Sequence, residues 1–256
     1  MTALLRHGRY VLGENPVTGL AFALFVLLVV LAAAGPWLVP YDPLASNTAE
    51  ALKPPSHAHW FGTDQLGRDL LSRVVVATRL DLTISICAVM IAFAVGSAAG
   101  VTGGFYGGWT DRLIGRVLDT IMAFPLFVLA MGIVAALGNT VANIVYATAI
   151  INVPFYARLA RSEVMVRREA GFIEAARLAG NRGPRILAMH LFPNCLPPMM
   201  VQISLNLGWA ILNAAGLSFI GLGVRPPTPE WGSWWRRARP SSSRASGGSA
   251  SSPALR

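Results

Sequence analysis

An uncharged apolar run from about Thr18 to Val39 constrains this chain more than any other feature. At ~1.5 Å of rise per residue, a helix over that run reaches ~33 Å, the depth of a bilayer core. Comparable runs lie near Leu82 to Val101, Val117 to Leu137, Val141 to Ala157 and Pro198 to Leu222. Backbone amides in lipid must be paired within the segment, and continuous rather than alternating apolar blocks satisfy that as helices. With 54% hydrophobic and 13% charged residues in 256, the chain is too apolar for an ordinary soluble domain. The expectation is an all-α, polytopic helical membrane protein with five spans, solvated by membrane lipid and with no nucleic-acid partner.

Charge sets the orientation. Arg6, His7 and Arg9 precede the first run, which keeps the N-terminus in the cytoplasm. A cleaved signal peptide, suggested by Ala32-Ala33-Ala34, competes with this reading, but the apolar run exceeds the ~7–15 residues of a signal core. Counting outward, 40–80 lies outside, 103–116 inside, 138–140 outside and 158–196 inside. The 158–196 loop holds Arg158, Arg161, Arg167, Arg168, Arg177, Arg182 and Arg185 against Glu163, Glu169 and Glu174. In 40–80, by contrast, Lys53, Arg68, Arg73 and Arg79 are matched by Asp42, Glu50, Asp64 and Asp69.

Within the basic loop, Glu163 to Ala179 is rich in helix formers and stops at Gly180, the residue type that closes a helix in a left-handed cap. Pro184 suits the first turn of a second short helix, where its missing N–H is not needed. The loop therefore reads as a helix, a glycine turn and a second helix projecting toward a cytoplasmic partner.

Chemistry of other kinds is not visible. A phosphate-binding loop needs Gly-x-x-x-x-Gly-Lys before Ser or Thr, and the one lysine, Lys53, precedes Pro54. No His-Glu-x-x-His or Gly-x-Ser-x-Gly occurs, so neither catalysis nor a cofactor is expected. Cys87 falls in a span and Cys195 beside the loop, which indicates no disulfide and no metal site. Asp119 is the main ionisable residue near a span, and Arg116 three residues earlier is its expected partner. Pro125 and Pro154 are candidate kinks, and Gly96, Ala98, Ala99 and Gly100 suit close helix packing. Outside, Asp64 is expected to cap an amphipathic surface helix through Leu66, Leu70, Leu71, Val74 and Val75, with Asp69 and Arg73 paired.

The run Glu174-Ala175-Ala176, three residues, Gly180, nine residues, then His190-Leu191-Phe192-Pro193-Asn194 resembles the EAA loop of ABC importer permeases, with Phe192 in place of the usual Leu. The histidine and the asparagine make it similar to the dipeptide, oligopeptide and nickel branch. His59-Trp60-Phe61-Gly62-Thr63-Asp64-Gln65-Leu66-Gly67-Arg68-Asp69, Asp111-Arg112 with Phe124-Pro125, and Pro226-Pro227-Thr228-Pro229-Glu230-Trp231-Gly232 resemble further segments of that branch, so the likeness covers about 15 to 233. It implies the type I importer permease fold with six spans. The implied role is import of di- or oligopeptides across the bacterial inner membrane. The implied partners are a second permease, two ATP-hydrolysing subunits and an external binding protein. The coupling-loop residues it implies are Glu174, Ala175, Ala176, Gly180, Arg185, His190 and Pro193, with 181–190 forming the contact. Gly183-Pro184 departs from the family's usual polar and aromatic pair. A nickel or other small-solute importer, or a truncated product that transports nothing, are the alternatives.

After Trp234 the chain turns to Arg236, Arg237, Arg239, Arg244 and Arg256 among Ser, Gly, Ala and Pro, without an acid, where the family continues into a sixth helix. On an outside tail this breaks the positive-inside pattern. If Trp234 to Ala238 is encoded TGG-TGG-CGG-AGG-GC, reading from the third base gives Val-Ala-Glu-Gly, which resembles the family's continuation. A frameshift and a natural disordered tail both account for the composition. The chain thus divides into 1–40, an N-terminal segment with the first helix; 41–80, an external amphipathic segment; 81–223, a permease core; and 224–256, an atypical tail.

Overall fold

A helix of 37 residues, Leu70–Tyr106, forms the spine of the structure, a computed structural model that describes residues 16–232. The N-terminal basic residues and the tail from 233 lie outside the described residues. The preceding helix α1, Pro16–Leu38, leans on this spine, which is α2; Gly35 meets the Val75 backbone and side chain there. After α2 come α3, Gly108–Met122; α4, Leu126–Leu137; α5, Val141–Arg167; α6, Gly171–Leu178; α7, Gly183–Ile186; and α8, Phe192–Phe219. Among the described residues there is no strand, only an isolated bridge between Thr63 and Asp69.

Helices occupy all five apolar runs. Three (α1, α2 and the helix continuing from Gly183 to Phe219) are individually long and apolar enough to cross a membrane. The predicted third span is instead two helices, α3 and α4, bent by 87° at Ala123-Phe124-Pro125. Proline removes a backbone donor and disfavours helix for the residue before it, so the chain breaks rather than kinks. Helix α5 has the length but is more polar, and its packing against α2, α3, α4 and α8 shows why. Protein covers most of its faces, leaving Tyr146, Ile150 and Phe155 exposed on another, and a largely enclosed helix tolerates Asn and Thr where hydrogen bonds are offered.

The α2–α5 crossing brings two helix backbones into direct contact. A Cβ added to Gly96 meets the Val153 carbonyl at 2.6 Å, one on Gly100 meets the Ala157 carbonyl at 2.1 Å, and one on Gly104 meets the Arg161 carbonyl at 2.9 Å. Glycines four apart line one helix face, so the three form a groove in which the α5 backbone lies. Ala98, expected to share that role, is exposed.

At ~55 Å, α2 exceeds a ~30 Å bilayer core, and its first turns stand in a separate layer. The amphipathic surface helix expected from Asp64 onward does not exist as a unit. Asp69, not Asp64, is the N-cap, accepting from the Ser72 N–H at 2.8 Å. Asp64 folds the preceding loop instead, accepting from the Leu66 and Arg68 N–H groups and from Arg68 Nε at 2.8 Å. Arg73 is fully buried; its Nη1 donates to the Pro43 carbonyl at 2.7 Å and its Nε approaches Asp64 rather than Asp69. Gly67 is indispensable here: its φ is +69°, and a Cβ falls 1.7 Å from the Asn47 carbonyl. The returning chain seals this layer, as the Trp231 N–H donates to Asp81 at 3.1 Å and its indole to the Val74 carbonyl at 3.3 Å.

Within the layer, buried His59 bridges Asp69 and Glu50, with 2.9 Å contacts at both ring nitrogens. The hydrogen bond to Asp69, then that to Glu50, raises the His59 pKa. Burial pushes Asp69 upward, but bonds from Ser72 and His59 outweigh it and hold it low, and Lys53 with His59 lowers Glu50. A raised histidine pKa contributes stability that is fully present below the unfolded value of ~6.5 and is lost as pH rises through the folded value. The carboxylates' contribution is lost as pH falls through their lowered folded values. Protection factors of amides in 50–69, corrected for the intrinsic rise of exchange with pH, are therefore expected to be highest in weakly acidic buffer and to fall above neutrality, and His59→Gln to abolish that alkaline fall.

Packing predicts a second outcome. Gly100→Val is expected to destabilise the protein by about 3 kcal/mol, through overpacking that only a backbone shift relieves. Gly115→Ala, with nothing within 4 Å of the added Cβ, is expected to be neutral or slightly stabilising. Thermal unfolding in detergent separates the two.

Candidate coupling loop

The loop begins where α5 runs out of partners. The Arg168 side chain donates through Nη1 to the Gly104 carbonyl at 3.2 Å, tying the end of α5 to the glycine groove of α2. The helix expected over Glu163 to Ala179 is interrupted: α5 ends at Arg167, Arg168 to Ala170 turn the chain, and α6 starts again at Gly171. Helix propensity favours continuation, but the break lets Ile173 and Ala176 point back into the core.

Ile173, fully buried, and Ala176 join one cluster with Val101 of α2, Ala160 and Val164 of α5, Ile186 of α7 and Cys195 and Met199 of α8. Of the three EAA residues, Ala176 is the packed one, while Glu174 and Ala175 are exposed. Leu178 is 89% exposed at the tip, an apolar side chain directed away from the fold.

Gly180 takes φ +80° and closes α6. Its N–H bonds the Arg177 carbonyl at 2.9 Å, and the Asn181 N–H bonds the Ala176 carbonyl at 3.1 Å. These are the paired bonds of a Schellman cap, and the Asn181 Nδ2 adds a third to the same Ala176 carbonyl at 3.0 Å.

The second helix is not a separate projection. Pro184 occupies its first turn, as its spacing predicts, but α7 passes through a π-turn over Leu187–Leu191 directly into α8. Pro193 explains the π-turn: its ring clashes with the carbonyl four residues back and it donates no hydrogen bond, so the helix widens before it. The Phe192 N–H reaches back to Leu187, and Asn194 Nδ2 donates to the His190 carbonyl at 2.6 Å. His190 is half-buried on this turn, and Arg185 and Pro193 are exposed.

Beside the loop lies a polar groove of about 500 Å³, lined by Phe105, Arg168, Glu169, Glu174 and Arg177. It places Glu174 and Arg168 on one groove, which sequence spacing alone did not associate. The loop's flank is braced by Arg161, which grips Asp111 of α3 through two bonds of 2.5 and 2.7 Å. Asp119, expected to pair with Arg116, binds Arg158 of α5 at 2.8 Å instead. A cross-helix arginine reaches it better than a neighbour on its own helix. The deeply buried acids among the described residues are Asp69, Asp81 and Glu230 at the opposite end, whereas the Asp119 side chain is 63% exposed.

Residues 92–234 match the family described as the binding-protein-dependent transport system inner membrane component, and residues 9–55 match the N-terminal TM domain of oligopeptide transport permease C. The chain belongs to this permease family. It is 40% identical over 243 residues to the probable D,D-dipeptide transport system permease protein of Escherichia coli, covering 90% of this chain and 82% of that one. It is 42% identical to the dipeptide transport system permease protein of Alkalihalophilus pseudofirmus, over 86% of this chain and 73% of that one. With the glutathione transport system permease protein of Shigella sonnei the identity is 43%, over 85% and 72%. Members of the family are membrane subunits of ABC transporters and work with ATP-binding and substrate-binding partners. ATP hydrolysis is done by the partner subunits.

Truncating the buried anchor is expected to loosen the loop selectively. Ile173→Ala removes a fully enclosed side chain at a cost of about 2–5 kcal/mol. Tryptic cleavage at Arg177 and Arg182 is expected to accelerate before the membrane helices unfold.

Proposed function

We propose that this chain is the permease subunit of an ATP-driven importer that carries short peptides across the bacterial inner membrane. The loop made of Glu174, Ala175, Ala176, Gly180, Arg185, His190 and Pro193 is its seat on an ATP-hydrolysing subunit. The supporting observation is the shared core: α6 and α7 are packed through Ile173, Ala176 and Ile186 into the same cluster as α2, α5 and α8. A push on the exposed surface of the loop therefore displaces membrane helices rather than a loose connection. The peptide substrate follows from the dipeptide and glutathione transporters among the relatives.

In this reading the N-terminus and the 158–196 loop are cytoplasmic, 41–80 is an external layer and 81–223 is the permease core. The complex holds a second permease, two ATPases and an external binding protein. ATP binding draws the ATPases together, and the loops transmit that motion to the helices.

Gly180→Val tests the loop without touching the core. A β-branched residue at φ +80° costs about 1–2 kcal/mol in the left-handed region and opens the cap. Reconstituted with its partner subunits, the variant is expected to insert normally but to lose about tenfold in peptide uptake and in stimulated ATP hydrolysis. Wild-type rates in both assays would reject the assignment.

A further inference from the structure

Helix α3 carries both acids that grip the root of the coupling loop, and its outer side is open. It follows two consecutive glycines at positive φ, Gly107 and Gly108, and meets the uncharged, apolar α4 at 87°. A helix perpendicular to one that enters the bilayer runs along the membrane plane, so α3 is placed to lie flat where α4 dips in. It lies at the loop end of the bundle, because Asp111 pairs with Arg161 and Asp119 with Arg158.

One side of α3 is committed to protein: Leu118 is buried, and Ile114, Ile121 and Met122 are partly so. The open side is divided lengthwise. Trp109, Leu113 and Val117, at i, i+4 and i+8, form an apolar edge on which they are 82%, 67% and 55% exposed. Arg112, Arg116 and Asp119, at i, i+4 and i+7, form an exposed charged edge beside it. Trp109 stands where the edges meet, with the Arg112 guanidinium 5.6 Å from its ring centroid. Asp119 is matched by Arg158, whereas neither Arg112 nor Arg116 has an ion-pair partner among the described residues.

The headgroup layer of a bilayer satisfies both edges at once. Acyl chains cover the apolar edge, phosphates meet the guanidiniums, and an indole is a side chain enriched at that boundary. Two unmatched cations select anionic over zwitterionic lipid.

We propose that α3 is an interfacial helix that binds anionic phospholipid in the leaflet facing the ATP-hydrolysing subunits. Arg112 and Arg116 hold the phosphate groups, and Leu113 and Val117 lie among the acyl chains. Held there, α3 fixes Asp111 and Asp119, so the lipid braces the arginines at the root of the loop. The leaflet assignment rests on the coupling-loop reading above.

The test uses the complete complex with a fluorophore on Leu113→Cys, in a Cys87→Ser background that removes the exposed native thiol. The vesicles hold equal parts of phosphatidylglycerol and phosphatidylcholine, one or the other brominated in its acyl chains. Brominated phosphatidylglycerol is expected to quench about tenfold more effectively than brominated phosphatidylcholine at low salt, and high salt to narrow that preference. Arg112→Gln with Arg116→Gln is expected to abolish the preference while both lipids still quench. Arg112→Lys with Arg116→Lys is expected to keep it, since charge selects the lipid. Equal quenching by the two lipids in the protein with both arginines overturns the proposal, as does a preference that survives the glutamine pair. So does the absence of quenching by either lipid, which would mark this face as covered by a partner subunit. Separately, Leu178→Cys in the same background is expected to resist a membrane-impermeant thiol reagent applied to intact cells. Labelling there rejects the coupling-loop reading itself, whatever the quenching shows.

Discussion

Everything in this structure leans on the contact between the backbone of α5 and the glycine groove of α2. Gly96, Gly100 and Gly104 leave no room for a side chain, so two long helices touch through main-chain atoms. In lipid the hydrophobic effect does not drive helices together, and close van der Waals packing of this kind takes its place. The contact also fixes register. Gly104 lies one turn beyond Gly100, and its carbonyl receives Arg168 at the start of the loop. The groove that assembles the bundle thus sets where the loop leaves it.

The two ends of α2 are built on different principles. At one end Asp64, Arg68, Asp69, Arg73 and His59 pair with one another and with backbone carbonyls, giving a polar layer with little freedom. At the other, apolar residues from six helical segments meet around Val101 and Met199, and the ion pairs of Asp111 and Asp119 stay near the surface. Partly exposed pairs contribute about 1 kcal/mol or less, so the apolar cluster rather than the salt bridges holds the loop.

Sequence pattern located the apolar helices, the Gly180 cap and Pro184 in a first turn, because each depends on composition or on a single residue's backbone preference. It misplaced what depends on distant partners. Asp64 and Asp69 are equally plausible caps until the loop from Asn47 to Gly67 is folded, and only then does Asp64 turn inward to Arg68. Asp119 has an arginine three residues before it, yet Arg158 on α5 takes it. The break at Phe124-Pro125 was visible as a proline, but its 87° bend depends on how α4 packs against α5. The Asp81–Trp231 bond joins residues 150 apart, and no local pattern encodes it. Asn152, Gln202 and Asn206 lie on two different helices, and only the packing of those helices places the three carboxamides on one groove.

The π-turn over Leu187–Leu191 decides whether a displacement of the loop reaches the membrane helices. A widened turn is the softest point between α7 and α8, and a free one absorbs a push by bending. This one is clamped on both sides. Ile186 precedes it, Leu191 closes it, and Cys195 and Met199 follow, all four in the cluster that also contains Ile173 and Ala176. Bending at the turn would pull Leu191 out of a site where it is fully buried, and exposing such a side chain costs about 1.5–3 kcal/mol. Moving α6, α7 and α8 together keeps that burial intact. The cheaper response to a load on the loop is therefore movement of α8 as a unit, carrying Gln202, Asn206 and Trp209 with it, while the close backbone contact at Gly96, Gly100 and Gly104 holds α5 in register on α2.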